Sequence, residues 1–281
     1  MKFEVKANLQ YQVKNNSSII LNISALNTPH QKVISETLEV TKGVHQKEFL
    51  SSPEGNRLTS LEILNDQNLN INYSAQVNQY CEIKGYDRIK DLNIAKLPAN
   101  VLTYLNPSRY CQSDKLYRLA NNMFGYKKDD FDKVSALTHW IYLNVAYLSG
   151  STDAETSAYD TVTEQAGVCR DFAHLGIALC RALTIPARYF TGYAYQLSPP
   201  DFHACFEAYI DGDWVLFDAT RLIPLNGMVK IATGRDAADA AVASLFGDIN
   251  FISSKISCEL IDQKFEPFNQ DDQSRRGVIY L

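Results

Sequence analysis

Apolar and polar residues alternate along the first part of the chain. From Phe3 to Val13 every second residue is apolar, and the alternation returns at 19–23 and 69–77. A period of two is typical of β-strands that bury one face. Residues 1–85 are therefore predicted to form an N-terminal antiparallel β-sandwich domain.

The pattern changes to helical spacing beyond residue 85. Val134, Leu137 and Ile141 mark a helix, with an acidic run of three aspartates, Asp129, Asp130 and Asp132, at its start. Helix capping is favoured over a calcium site because the run lacks the spacing of a calcium loop. Strands are predicted at 187–196, 202–210 and 213–219, with further strand-like sequence at 250–264 and 275–281. The patterns indicate an α+β protein whose second domain spans residues 86–281.

The segment that follows Gly167 predicts a helix with a cysteine in its first turn. Apolar residues recur at helical spacing from Val168 to Leu183, so Cys169 would lie where free backbone N–H groups favour a thiolate. A second stripe on this helix consists of small residues that would allow close packing on a sheet: Cys169, Ala173, Gly176 and Cys180. Cys81, Cys111, Cys180 and Cys258 have no comparable setting, so they are predicted to be ordinary buried thiols.

The histidine partner is chosen by elimination among five histidines. His203 begins an alternating stretch that a two-residue Asp211–Gly212 turn would fold into a hairpin. That turn would place Asp218 opposite Cys205, on the same face as His203. A three-residue turn would move Asp218 to the other face unless a bulge restored the register.

A cysteine, a histidine and a carboxylate in this setting suggest a nucleophile, its base and the acid that orients the base. Cys169, His203 and Asp218 are therefore the predicted catalytic residues. This chemistry needs no cofactor and no metal ion. The Cys169 backbone N–H is a natural oxyanion donor, and a second donor would come from Gln165, Tyr159 or Tyr147. Arg188 and Glu207 are expected to form an ion pair near the site.

Four segments carry a resemblance to a known family: 167–175, 185–193, 203–209 and 213–220. They resemble the core of the bacterial transglutaminase-like superfamily, and the segment 234–239 resembles one that commonly follows that core. Including the β region, the chain looks like members described as candidate cysteine proteases. The resemblance implies a papain-like core, with the nucleophile helix packed on an antiparallel sheet, and matches Cys169, His203 and Asp218 to the family's triad.

Two residues depart from the family pattern. Cys205 stands where members usually carry an aromatic residue, typically Trp, and Ala219 stands where a proline usually follows the aspartate. The smaller Cys205 is expected to leave a wider or wetter cleft that favours water as the acyl acceptor. It also offers a second thiol near the nucleophile, and whether it could reach Cys169 to form a disulfide stays open.

Composition excludes several classes of partner. The net charge of −5 gives no basic surface for nucleic acid, and no run approaches the roughly 20 apolar residues of a membrane span. Alternation in the first 13 residues indicates a strand rather than a signal peptide. The six irregularly spaced cysteines then suggest reduced thiols in a cytoplasmic protein. The oligomeric state is not predicted.

The sequence therefore predicts a cysteine acyl-transfer enzyme acting on a peptide or protein substrate. Hydrolysis of a peptide or isopeptide bond is favoured, which would make it a peptidase or amidase. Transfer to an amine, as in a protein-glutamine transglutaminase, is an alternative because the triad serves both acceptors. A catalytically silent binding or scaffold protein is an alternative of another class.

Overall fold

The computed structural model describes residues 1–51, 55–89, 93–271 and 274–280. Its helices are α1 (Ala99–Leu102), α2 (Ser113–Phe124), α3 (Asp130–Asn144), α4 (Ala158–Glu164), α5 (Cys169–Ala182) and α6 (Ala237–Ala240). Its strands are β1 (Lys2–Leu21), β2 (Gln31–Val40), β3 (His45–Leu50), β4 (Arg57–Ile63), β5 (Gln67–Gln79), β6 (Glu82–Gly85), β7 (Ala146–Tyr147), β8 (Ala166–Gly167), β9 (Ala187–Ala194), β10 (Phe202–Ile210), β11 (Asp213–Phe217), β12 (Met228–Gly234), β13 (Ala243–Leu260) and β14 (Arg276–Ile279). The fold is mixed α+β with mostly antiparallel sheets, which confirms the predicted class.

The first sheet is built around the long strand β1. The alternation seen in the sequence is real, since the side chains of its apolar positions from Phe3 to Val13 are buried. β1 pairs with β5 along residues 2–13 and with β4 along residues 17–21, and β2 and β3 extend these two halves. Asn15, with a φ of 60°, lies between the two pairings. The described N-terminal strands therefore form one antiparallel hydrogen-bonded sheet that β1 holds together.

The two sheets exchange strands across the predicted domain boundary. β13, from the last part of the chain, pairs antiparallel with β1 over nearly its whole length. In the other direction, β6 joins the second sheet, whose order is β12-β9-β10-β11-β14-β6. The division at residue 85 stays a prediction, but the hydrogen-bonded sheets do not follow it. The predicted strand at 275–281 is β14, and Leu281 lies outside the described residues.

Buried polar bonds join the two sheets. The Gln31 side chain donates to the Leu26 and Lys230 carbonyls at 2.9 and 2.8 Å and accepts from the Lys230 N–H at 2.7 Å. The Tyr193 hydroxyl donates to the Ile23 carbonyl at 2.7 Å. Buried polar groups need such partners, so these bonds favour one relative placement of the sheets.

Helix α5 packs directly on the second sheet, as its small-residue stripe predicts. Gly176 faces the ring of Phe206 on β10, where a Cβ atom would lie only 2.4 Å from the ring. A glycine is therefore required for this approach of helix to strand. The contact places the first turn of α5 beside the hairpin of β10 and β11. No helix among the described residues is long and apolar enough to cross a membrane.

Candidate active site

Cys169 is the first residue of α5, and the turn before it is fixed by two neighbours. The Asp171 carboxylate accepts a hydrogen bond from the Val168 N–H at 2.9 Å, which satisfies a free donor at the helix start. A Cβ atom at Gly167 would lie 2.8 Å from the Asp171 Cβ, so only glycine fits there. Cys169 itself is half-buried rather than enclosed. The thiol is thus held at a helix N-terminus with access to solvent.

The hairpin has the predicted register. Ile210 pairs with Asp213 across a two-residue turn, and Phe206 pairs with Phe217. Asp211 and Gly212 have φ values of 50° and 96°, as expected for a tight hairpin turn. The next position, Asp218, therefore lies opposite Cys205, and the His203 Nε2 and Asp218 Oδ2 atoms are 3.1 Å apart.

Asp218 is fixed by more than the histidine. The Thr220 backbone N–H donates to its Oδ1 at 2.9 Å, and the Thr220 hydroxyl reaches Oδ1 and Oδ2 at 2.8 and 2.9 Å. Asp218 is therefore both a turn residue and the acceptor for His203. The sequence left these two interpretations as competitors, and the structure combines them.

The electrostatics of this pair favour a protonated imidazole. His203 is fully buried, which alone would lower its pKa, but the Asp218 carboxylate and the neighbouring Cys205 and Cys169 side chains outweigh burial and raise the pKa well above its usual value. The His203 Nδ1 atom is buried and has no hydrogen-bond partner among the described residues. Since Nε2 is bound to Asp218, Nδ1 is the nitrogen left to exchange a proton with a thiol.

A cavity of about 500 Å³ brings Cys169 and His203 together. Much of its wall consists of alanines, among them Ala204 and Ala237, and Tyr110, Tyr189 and Asp201 contribute polar groups. All three residues predicted for the site thus lie together: two line the cavity, and the third is hydrogen-bonded to His203.

Tyr147 is distinguished from the other two candidates for the second oxyanion donor. Its hydroxyl lies beside Cys169, and burial followed by the charge of Cys169 raises the pKa of Tyr147. β7 and β8 pair in parallel and set Tyr147 beside Gly167, just ahead of the nucleophile helix. Neither Tyr159 nor Gln165 shows a contact with Cys169 among the described interactions.

Cys205 does not open the cleft, because it is not part of the cavity wall. The expectation that it leaves a wider or wetter site is therefore wrong. The residue is 1% exposed and belongs to a separate apolar cluster that includes Phe190, Leu216 and Tyr280. Burial, followed by the nearby Asp218 charge, raises the pKa of the Cys205 thiol to about 12. It lies beneath His203 rather than in the cavity wall. Cys169 and Cys205 are both free thiols.

Cys205 nevertheless completes a cluster of potential metal ligands. Ligand atoms of His203, Cys205 and Asp218 lie within 4.8 Å of one another, and all three residues are buried.

The ion pair expected near the site is present, with Arg188 Nε 2.5 Å from Glu207 Oε2. The acidic run caps a helix as predicted, since the Asp129 carboxylate accepts from the Asp132 N–H at 3.0 Å.

His174 is a supporting residue that the sequence did not reveal. It is fully buried, and its Nε2 accepts a hydrogen bond from the Ala237 N–H at 3.1 Å. Its ring stacks on Tyr110 at 5.0 Å between centroids and contacts Tyr189 at 5.2 Å. These three partners all line the cavity, so His174 supports the cavity wall from behind. Its position five residues after Cys169 had indicated only that it points away from the thiol.

Comparison with known proteins agrees with the fold. Residues 1–100 match the model of the bacterial transglutaminase N-terminal domain, and residues 117–219 match that of the transglutaminase-like superfamily. A crystal structure titled as a "Putative Cysteine Protease" from Cytophaga hutchinsonii is 49% identical, with a TM-score of 0.98 over 100% of this chain and 98% of that one.

Two uncharacterized mycobacterial proteins are also similar. The protein of Mycobacterium leprae is 26% identical over 146 residues, 49% of this chain and 52% of its own length. The protein of Mycobacterium tuberculosis is 34% identical over 110 residues, 38% of this chain and 34% of its own length. The chain thus spans about half of the first relative and a third of the second.

The whole-length similarity to the Cytophaga structure decides the assignment. It covers both sheets and α5 at 49% identity, and the two family models match consecutive parts of the same chain. The chain belongs to the transglutaminase-like superfamily.

Proposed function

We propose that this protein is a cysteine acyl-transfer enzyme, a peptidase or amidase in which Cys169, His203 and Asp218 act as a triad. The observation that carries the proposal is the shared cavity. The half-exposed Cys169 and the buried His203 both line it, while His203 Nε2 is bound to Asp218 at 3.1 Å. Cys205 is a poor nucleophile by comparison, because its thiol is enclosed and its pKa is raised to about 12.

In the proposed reaction, His203 takes up a proton and later returns it, and Cys169 forms a bond to the acyl group that is later broken. His203 Nδ1 takes the thiol proton, and the Cys169 thiolate attacks the substrate carbonyl to form a tetrahedral oxyanion. The proton then passes to the leaving amine as the thioester forms. The Asp218 carboxylate holds the imidazole by Nε2 and stabilises its positive charge. Water, activated by His203, resolves the thioester.

We assign two donors to the oxyanion. The Cys169 N–H lies at the start of α5, and the Tyr147 hydroxyl lies beside Cys169. A substrate oxygen that entered between them would receive both hydrogen bonds. Such preorganised donors stabilise charge only as it develops in the transition state.

The proposal also covers the substrate and the group that accepts the acyl unit from the thioester. A peptide or protein amide is the substrate class, and hydrolysis is preferred over amine transfer because the Cytophaga relative is described as a "Putative Cysteine Protease". The match of residues 1–100 to a bacterial transglutaminase domain keeps amine transfer as the second candidate. A cytoplasmic location stays a prediction.

The test is turnover of a fluorogenic peptide-amide library, with and without an added primary amine. Cys169→Ala and His203→Ala should each fall below about a hundredth of wild-type turnover, because triad members act as a unit. Asp218→Asn should lose on the order of a hundredfold or more by allowing the wrong imidazole tautomer. Cys258→Ala, at a half-buried cysteine of β13, is the matched control and should keep full turnover.

Two results would contradict the assignment. One is more than about a hundredth of wild-type turnover in Cys169→Ala or His203→Ala. The other is uniform, slow labelling of all six cysteines by a thiol-specific probe, which is the behaviour expected of a scaffold protein. Products that carry the added amine would assign transferase rather than hydrolase activity.

A further inference from the structure

His203, Cys205 and Asp218 bring three different ligand atoms to one buried place. A ring nitrogen, a thiol sulfur and a carboxylate oxygen all lie within 4.8 Å of one another. The hairpin register produces this grouping, because Asp218 follows the Phe206–Phe217 pair and so lies opposite Cys205. Among the described residues, no other group of this kind is found.

We propose that these three side chains form a binding site for a thiophilic divalent cation, and that Zn²⁺ is the ion it suits. Nitrogen, sulfur and oxygen donors together are the ligand set of zinc sites, with metal–ligand distances of about 2.0–2.3 Å. Ligand atoms around such an ion lie about 3.5 Å apart, so the cluster would need to contract by up to about 1.3 Å.

The charges of the three ligands suit a divalent ion at a buried site. One thiolate and one carboxylate neutralise a divalent cation, so the occupied site would carry no net charge in the protein interior. The nitrogen ligand would be His203 Nε2, which already lies 3.1 Å from the Asp218 carboxylate. The fourth position of a tetrahedral ion would be filled by water.

The site depends on Cys205, which supplies the sulfur among its three ligand atoms. A bound ion would engage both the base and its orienting acid. Zinc would then inhibit acyl transfer, a consequence that rests on the proposed function, whereas the binding itself does not.

The binding is tested in the Cys169→Ala protein, so that the proposed nucleophile cannot supply the sulfur. Cobalt(II) should bind and give the near-ultraviolet charge-transfer band of a cobalt–thiolate bond, and zinc should displace it. Adding Cys205→Ser should abolish the band and weaken zinc binding at least about tenfold. Adding Cys258→Ser instead is the matched control and should change neither.

The outcomes separate the possibilities. No thiolate band in Cys169→Ala overturns the proposal, as does a band that persists at full intensity after Cys205→Ser. Circular dichroism checks that each variant is folded. If the Cys205→Ser variant does not fold, His203→Ala in the same background carries the test, and unchanged zinc affinity there overturns the proposal. None of these measurements requires activity, so a failure of the proposed function would be seen separately.

Discussion

The charge of His203 is controlled by one neighbouring carboxylate. Burial alone would lower its pKa, and Asp218 is the largest of the influences that raise it instead. We expect nuclear magnetic resonance titration to find the His203 pKa well above that of a free histidine. Asp218→Asn should lower the His203 pKa, because it removes the close opposite charge that favours the protonated ring. Asp248→Asn, at an exposed carboxylate of β13, should leave it unchanged.

The same shift has a consequence for stability. Because the pKa of His203 is raised in the folded state, its protonated form stabilises the fold fully below the unfolded value of about 6.5. That contribution disappears as pH rises through the folded pKa. The difference in unfolding free energy between wild type and Asp218→Asn should therefore shrink on going to alkaline pH. A difference that grew with pH would contradict the coupling.

Tyr147 can be tested against a residue that the sequence ranked equally. If its hydroxyl is an oxyanion donor, Tyr147→Phe should lower kcat on the order of a hundredfold while KM changes little. Tyr159→Phe is the matched control, since Tyr159 is similarly exposed, at 45% against 47%, but has a lysine rather than Cys169 as its partner. Equal kcat values for the two variants would remove Tyr147 from the mechanism.

At the level of elements, the contact between α5 and β10 is the most demanding in the site. A Cβ atom at Gly176 would collide with the Phe206 ring. Gly176→Ala should therefore destabilise the protein by about 1–3 kcal/mol, although alanine is the better helix former. Phe206→Leu in the same chain should recover part of that loss, measured by urea unfolding. Additive losses in the double variant would show that the ring is not the obstacle.

Local elements were predictable from sequence, and long-range pairings were not. The hairpin register followed from Asp211–Gly212, because the turn and both strands are adjacent in the chain. The pairing of β13 with β1 joins residues more than 200 positions apart, and no local pattern specifies such a partner. The burial of Cys205 was also missed, since its neighbour Tyr280 comes from the far end of the chain.

The whole molecule is expected to unfold as one unit. Each sheet contains a strand from the other part of the chain, and buried bonds such as those of Gln31 join the two. Calorimetry should show a single transition whose calorimetric and van't Hoff enthalpies agree. Gln31→Ala should lower the unfolding free energy by about 1–3 kcal/mol by leaving buried groups without partners, and the transition should stay single. Two separated transitions in the wild type would contradict this.

The strand exchange also sets an order of events during synthesis. β1 and its partners β4 and β5 leave the ribosome early, whereas β13 ends only at Leu260. At about 5–20 residues per second, the 175 residues from 85 to 260 take roughly 9–35 seconds to make. Throughout that time one edge of β1 exposes unpaired N–H and C=O groups, which other chains can bind. The nascent protein thus stays open to aggregation until after Asp218, the last of the three proposed catalytic residues, has been translated.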